Sequence, residues 1–246
     1  MYSNIYIFKY ASIMVIVAAA VLSAAATFLK PFQEKNMAIE KMGDILSSAK
    51  IDDVTTEEMI PVFNDYVVEM LVIDQDGNVV QSVTDKHKEE GDGFSIKLKD
   101  QLYNKSRGES YQLPLYVIDK NGENIYVFPM LGNGLWGNVY GNMALKSDFN
   151  TIYGVTFSHD KETPGLGAEI TEPFFKDQFL DKKIFDDKGN LVSIKVVKGG
   201  AATLPSSEQI HGVDAISGGT ITSVGVDEMI KNVLEAYLPY IEKQRS

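Results

Sequence analysis

The sequence predicts an α+β protein: one N-terminal transmembrane helix, then a mixed or antiparallel sheet with flanking helices. Three observations carry this reading. Residues 10–29 form an uncharged apolar run of twenty. From Val67 the chain turns to β-branched segments broken by Asp, Asn and Gly. From Val226 an amphipathic pattern returns at helical spacing.

The run YASIMVIVAAAVLSAAATFL holds no Gly or Pro. Twenty helical residues span about 30 Å, the thickness of a bilayer core. VLSAAA offers small residues near a cleavage site, so a signal peptide is the rival reading. The run is longer than a usual signal-peptide core, and helical character continues beyond it, so an uncleaved anchor is expected. Flanking charge says little about orientation, because Lys9 precedes the run while Lys30, Lys35 and Lys41 follow it.

Residues 31–50 read as a helical stalk, and Thr55 with Glu58 stands at capping-box spacing before another helix. VVEMLVIDQDGNVVQSV, LPLYVIDKNGENIYVF and KKIFDDKGNLVSIKVVKG then read as three hairpins. Asp74, Asp76 and Asn78 look like the start of a calcium loop, but the terminal Glu of a 12-residue loop is missing, so a hairpin turn is expected there. Residues 171–180 suit a short helix. In the tail, Met229, Val233, Leu234 and Tyr237 share one face that should pack on the sheet, with Pro239 kinking or ending the helix. The expected division is 1–30 anchor, 31–65 stalk and 66–246 folded body.

Hydrophobic residues make up 44% of the 246, so a packed core is expected. The net charge is −11, yet residues 1–30 carry +2 from Lys9 and Lys30, which leaves −13 on the rest. So acidic a body argues against nucleic-acid binding, which needs a basic surface. The chain has no cysteine, which removes disulfides, iron–sulfur ligation and thiolate chemistry.

Three glycine-rich segments carry the chemistry. In LGNGLWGNVYGNMAL, Gly132, Gly134 and Gly137 have GxGxxG spacing. A dinucleotide site needs a helix after the glycines, and β-like residues follow instead. A turn presenting Leu135 and Trp136 is expected. Trp136, the only tryptophan, reads equally as a core aromatic and as a lid on a flat ligand. In HDKETPGLGAEI, Pro164-Gly165 sets a turn that holds Leu166 between two glycines, with His159, Glu162 and Thr163 around it. Metal binding by His159, Asp160 and Glu162 lacks a further ligand at suitable spacing. In DAISGGTITSVGVDEMI, Ser217, Gly218 and Gly219 place backbone N–H groups near a helix start, where phosphate oxygens bind well. Thr220, Thr222 and Ser223 add hydroxyls. Alone, this segment reads equally as an anion site and as an N-capping turn.

Together the three segments resemble the FMN-binding-domain family. Within it the resemblance is to the C-type branch found in sodium-translocating NADH:quinone oxidoreductases. The family attaches FMN to the threonine of an Asp-x-x-(Ser/Thr)-Gly-Ala-Thr motif, here Asp214-Ala215-Ile216-Ser217-Gly218-Gly219-Thr220. Gly219 replaces the usual alanine and keeps the position small, and Ala215 stands where glycine is common. HDKETPGLG is similar to the family's second motif, and GNGLW resembles the C-type branch more than the G-type branch of Rnf complexes. The resemblance implies covalent FMN on Thr220. A separate magnesium-dependent flavin transferase would attach it, as the threonine oxygen attacks the proximal phosphorus of FAD and AMP leaves. Asp214 would lie in the segment that the transferase reads. Ser217, Gly218, Gly219 and Thr222 would surround the phosphate. Leu135, Trp136 and Leu166 would wall the ring, with Gly165 shaping the loop. Glu162 and Thr163 would bond the ring edge or ribityl chain.

The family also implies a single-pass protein in the lipid of the bacterial inner membrane, with its body periplasmic and its N-terminus inside. Its partners would be the other subunits of a redox complex that exports sodium. No residue set resembles an independent catalyst, so the NADH site would lie on another subunit. His87 reads as a solvated loop residue, and His211 as lining a turn. The G-type member of an Rnf electron transport complex would share the site with different partners. An extracytoplasmic ligand-binding sensor, with an anchor, a stalk and an α/β domain, would instead bind its ligand reversibly.

Overall fold

The computed structural model describes residues 3–85 and 88–245; His87 lies outside them. The chain divides into two compact units, Met1–Lys41 and Met42–Ser246. From Asn4 onward the first belongs to α1 (Asn4–Ser48), an uninterrupted helix that includes Pro31. Its most apolar 18-residue stretch has mean hydropathy 2.4, none of it buried, so by length and composition it can cross a membrane. A helix apolar on every face needs an apolar surround.

The second unit opens with the end of α1, where Met42, Ile45 and Leu46 are buried. The residues read as a stalk are therefore shared between the two units. α2 (Met59–Tyr66) follows. The Thr55 hydroxyl bonds the Glu58 carboxylate itself, at 2.9 Å, and Glu58 makes no side-chain cap bond to the helix. The expected capping box does not form.

Six antiparallel strands make the main sheet: β1 (Val67–Asp74), β2 (Val79–Val83), β3 (Gln112–Lys120), β4 (Glu123–Asn133), β5 (Asn138–Leu145) and β6 (Ile152–His159). Their order is β2-β1-β3-β4-β5-β6. The β1–β2 and β3–β4 hairpins match the sequence reading. In the first, Asp74 Oδ1 accepts the N–H groups of Asp76 (3.0 Å) and Asn78 (2.8 Å), a turn and not a cation loop. Between β2 and β3 lie α3 (Asp92–Ser95) and α4 (Leu98–Ser106).

β3 buries both faces, and strand alternation divides its side chains between two cores. Leu115 and Val117 join the core beneath the C-terminal helix. Tyr116 points the other way, its ring 6.1 Å from Phe63 and 6.5 Å from Phe94. On that second face Lys120 Nζ donates to the carbonyls of Ala49 (2.7 Å) and Lys50 (2.8 Å), satisfying the end of α1.

After β6 come α5 (Pro173–Lys176), β7 (Lys195–Val197), β8 (Gly212–Asp214) and α6 (Thr220–Arg245). The third expected hairpin does not form. Only the Phe185–Leu191 bridge spans its turn, and β7 pairs in parallel with β8 instead. Residues 171–180 split into α5 and a 3-10 turn, Asp177–Phe179. α6 packs Met229, Val233, Leu234 and Tyr237 on the sheet as expected, with the Tyr237 ring 5.0 Å from Phe128 and edge-on to it. It begins six residues before Val226, at Thr220, and Pro239 lies inside it without ending it.

Candidate functional site

The β4–β5 turn is closed by Gly134 N–H donating to the Gly137 carbonyl (2.8 Å). It leaves Leu135 and Trp136 exposed, so Trp136 is not a core aromatic. The GxGxxG spacing lies in a hairpin, with no helix after it to receive a pyrophosphate.

The second segment leaves β6 and turns at Pro164-Gly165. Gly165 has φ +76, and Leu166 N–H donates to the Thr163 carbonyl (3.1 Å). That is the geometry of a type II turn, which favours glycine at its third position. Leu166 and Thr163 are exposed, whereas Glu162 is buried. His159 Nδ1 accepts the Glu162 N–H at 3.3 Å. The third segment joins β8 to α6. Gly218 has φ +78, and a Cβ there would lie 2.6 Å from Leu166 Cδ2, so the second loop rests directly on the third. Thr220 opens α6 and is exposed. The N–H groups of its first turn have no intrahelical acceptors, although Gly219 N–H is already used by the Ile216 carbonyl (3.1 Å).

Glu162 knits the three segments together. One oxygen accepts the Trp136 N–H (2.9 Å) and the other the Thr222 hydroxyl (2.6 Å). Burial pushes its carboxyl upward. The bonds from Thr222, Trp136 and the Leu135 N–H, with His159 nearby, outweigh burial and hold it below the ordinary value. The fit is close: a Cβ on Gly134 or on Gly167 would meet this carboxylate. The Glu162 side chain is thus engaged by protein donors, and Thr222 is buried against it.

Asp214 accepts the Ala201 N–H at 2.6 Å and donates its own N–H to Gln178 Oε1 at 2.7 Å. A cavity of about 660 Å³ lies here, lined by Lys198, Gly199 and Gly200 on one side and by residues 214–218 and Thr220 on the other. Asp214, Ser217, Gly218 and Thr220 are therefore brought together. Leu135, Trp136 and Leu166 stand outside this lining, as exposed apolar side chains tied to it through Glu162 and the glycines. Ile221 and Val224, on the first turns of α6, are exposed apolar side chains as well. The sequence reading missed both of these and Lys198. His211, buried, uses Nδ1–H to bond the Lys183 carbonyl at 2.6 Å and takes no part in the site.

These residues suit FMN. The cavity volume falls in the usual ligand range. The start of α6 offers N–H groups and a favourable dipole to a phosphate. The exposed Thr220 hydroxyl stands at that point, and the loops tied to it present exposed apolar side chains, the flat Trp136 among them, for a ring.

A family model described as FMN-binding domain matches residues 134–235. The C subunit of the Na(+)-translocating NADH-quinone reductase of Neisseria meningitidis is 34% identical over 240 residues, covering 94% of this chain and 90% of that protein. Its counterpart in Vibrio vulnificus is 36% identical over 217 residues, 86% of this chain and 83% of its own. The crystal structure of the C subunit from Parabacteroides distasonis superposes with TM-score 0.73 at 36% identity, covering 87% of this chain and 96% of that one. The Shewanella oneidensis NqrC structure gives 0.67 at 26% identity, covering 85% and 99%. The chain belongs to the NqrC family, the C subunits of Na(+)-translocating NADH-quinone reductases.

Proposed function

We propose that this chain is the electron-carrying C subunit of a sodium-translocating NADH:quinone reductase and holds FMN covalently, as a phosphoester on Thr220. The observation that carries the covalent reading is the position of Thr220. It is an exposed hydroxyl on the first residue of α6, at the rim of a cavity and at the end of the Asp214–Thr220 motif. Ser217, Gly218 and Gly219 shape the phosphate end. Leu135, Trp136 and Leu166 supply apolar surface for the ring, and Gly165 turns the loop that places Leu166. Thr163 offers an exposed hydroxyl for the ribityl chain. Glu162 and Thr222 act on each other and hold the loops in register. Bound FMN supplies electron storage and release, and the protein tunes its potential.

Residues 1–30 anchor the chain in the lipid of the inner membrane. Residues 31–65 lead into a periplasmic FMN-binding domain, 66–246, whose core the end of α1 helps to build, and this body meets the other subunits of the complex. NADH is oxidised on one of those subunits. A flavin transferase reads the motif during maturation. The Asp214 carboxylate, already engaged with Ala201, shapes the segment that the enzyme meets.

Intact mass tests the attachment. Chain produced beside an active transferase should gain the mass of FMN less one water, and the gain should map to the peptide 214–231. Thr220→Val should remove it completely. A chromophore that stays on Thr220→Val after unfolding would sink the covalent reading.

A further inference from the structure

The cavity beside Thr220 is lined by a cationic side chain that lies outside the glycine-rich motif. β7 and β8 run parallel with Val197 opposite Asp214, so both chains leave their strands at the same end. Ligands gather beyond the carboxyl ends of parallel strands, because the loops there converge. Beyond β7 come Lys198, Gly199 and Gly200, and beyond β8 the motif that ends in Thr220. Gly199 and Gly200 have φ +90 and +98, a conformation that favours glycine, and they turn the chain back sharply. Asp214 closes that turn by accepting the Ala201 N–H at 2.6 Å, while Ala215 N–H donates to the Val197 carbonyl at 3.0 Å. Lys198 lines the same cavity as Thr220 and makes no ion pair among the described residues. The other charged side chain in the lining is Asp214, and one of its oxygens is engaged by Ala201.

We propose that Lys198 is the counter-ion of the flavin's phosphate, set toward Thr220 by the Gly199-Gly200 turn, and that Asp214 is the positioning residue that latches this turn. The inference rests on reading Thr220 as the FMN carrier. Residues 31–246 carry −13 from side chains, and that charge opposes any anion. Helix N–H groups soften the opposition, and a full positive charge across the cavity adds a stronger term.

The test uses full-length chain made without transferase and therefore lacking flavin, titrated with free FMN and with riboflavin. The two differ only in the phosphate, so the ratio of their dissociation constants reads the phosphate's share of binding. The unsubstituted chain should prefer FMN by roughly tenfold at low salt, and the preference should weaken as salt rises. Lys198→Met should reduce the preference to near parity, and Lys198→Arg should keep it. Asp214→Ala should lose it even though a like charge is removed, whereas Asp214→Asn, which keeps an acceptor for Ala201, should retain it. Equal preference in Lys198→Met and the unsubstituted chain overturns the counter-ion role, as does a chain with no preference at all. Full preference in Asp214→Ala overturns the latch. Intact mass is read separately: FMN on Thr220 with no effect of Lys198 defeats this inference alone.

Discussion

At the scale of the residue, Glu162 is the side chain on which the site's geometry turns. It is 4% exposed and accepts from Thr222 and from the turn that carries Trp136. Glu162→Gln keeps the shape. Its amide can face Thr222, which then accepts, while the carbonyl oxygen takes the Trp136 N–H. What is lost is the charge, so the expected cost is about 1–2 kcal/mol, against about 3 kcal/mol for Glu162→Ala, which leaves buried donors unpaired. The pH dependence has a definite sign. Because the folded carboxyl titrates below its ordinary 4.5, its contribution is complete above that value and disappears as pH falls through the folded value. The stability gap between wild type and Glu162→Gln, measured by urea unfolding, should be full at neutral pH and close in acid. A gap that persists unchanged in acid rules out a charge-based tether. Glu162 was legible in the sequence as a polar group in a glycine-rich loop. Its partners were not, since Thr222 lies 60 residues away and the bond depends on tertiary packing.

At the scale of the element, α6 both opens the site and covers the sheet. Gly225 lies where the helix crosses the end of β4, and a Cβ there would fall on the Asn133 carbonyl oxygen. Gly→Ala inside a helix ordinarily stabilises by about 1 kcal/mol. Here overpacking against backbone costs about 1–3 kcal/mol, so Gly225→Ala should destabilise on balance and displace the Trp136 turn. A thermal unfolding midpoint at or above that of the wild type would refute the close approach; a lower midpoint with reduced flavinylation is expected. The helix's apolar face was legible because Met229, Val233, Leu234 and Tyr237 repeat at helical spacing. Its start was not. Thr220 to Gly225 are poor helix formers held in place by Glu162, by Ser223 Oγ accepting the Ile216 N–H (3.1 Å) and by the β4 end. Pro239 misleads for a similar reason, since packing of Tyr240 and Ile241 carries the helix past it. Two hairpins were legible from local turns. The segment 182–199 shares their turn chemistry, with Asp186 Oδ1 accepting the N–H groups of Lys188 (2.9 Å) and Asn190 (2.8 Å). Its last strand nevertheless joins β8, a parallel partner that no local pattern announces. Lys198 was missed on the same account, because the parallel pair is what brings it to Thr220.

At the scale of the whole molecule, the helix that can cross a membrane and the folded body share one element, α1, and the division falls between Lys41 and Met42. The part of α1 beyond this point is core. Met42, Ile45 and Leu46 are at most 1% exposed, and Lys120 closes the helix end by bonding Ala49 and Lys50. Burying each such side chain stabilises by about 1.5–3 kcal/mol, so together they contribute on the order of 5 kcal/mol or more. That is comparable to the whole stability of many domains. Removing residues 1–36 should therefore leave a body that folds cooperatively and no longer requires detergent, because the exposed apolar stretch is gone and the core is untouched. Removing residues 1–50 should abolish the cooperative urea transition, although the second cut takes only fourteen residues more and spares every strand. It deletes four buried apolar side chains, Met42, Ile45, Leu46 and Ala49, and uncovers the sheet at Gly154 and Thr156, on which this end of the helix rests. Equal unfolding midpoints for the two truncations would show that the end of α1 is an attachment alone. A transition present in the first and absent from the second makes the same helix anchor and core.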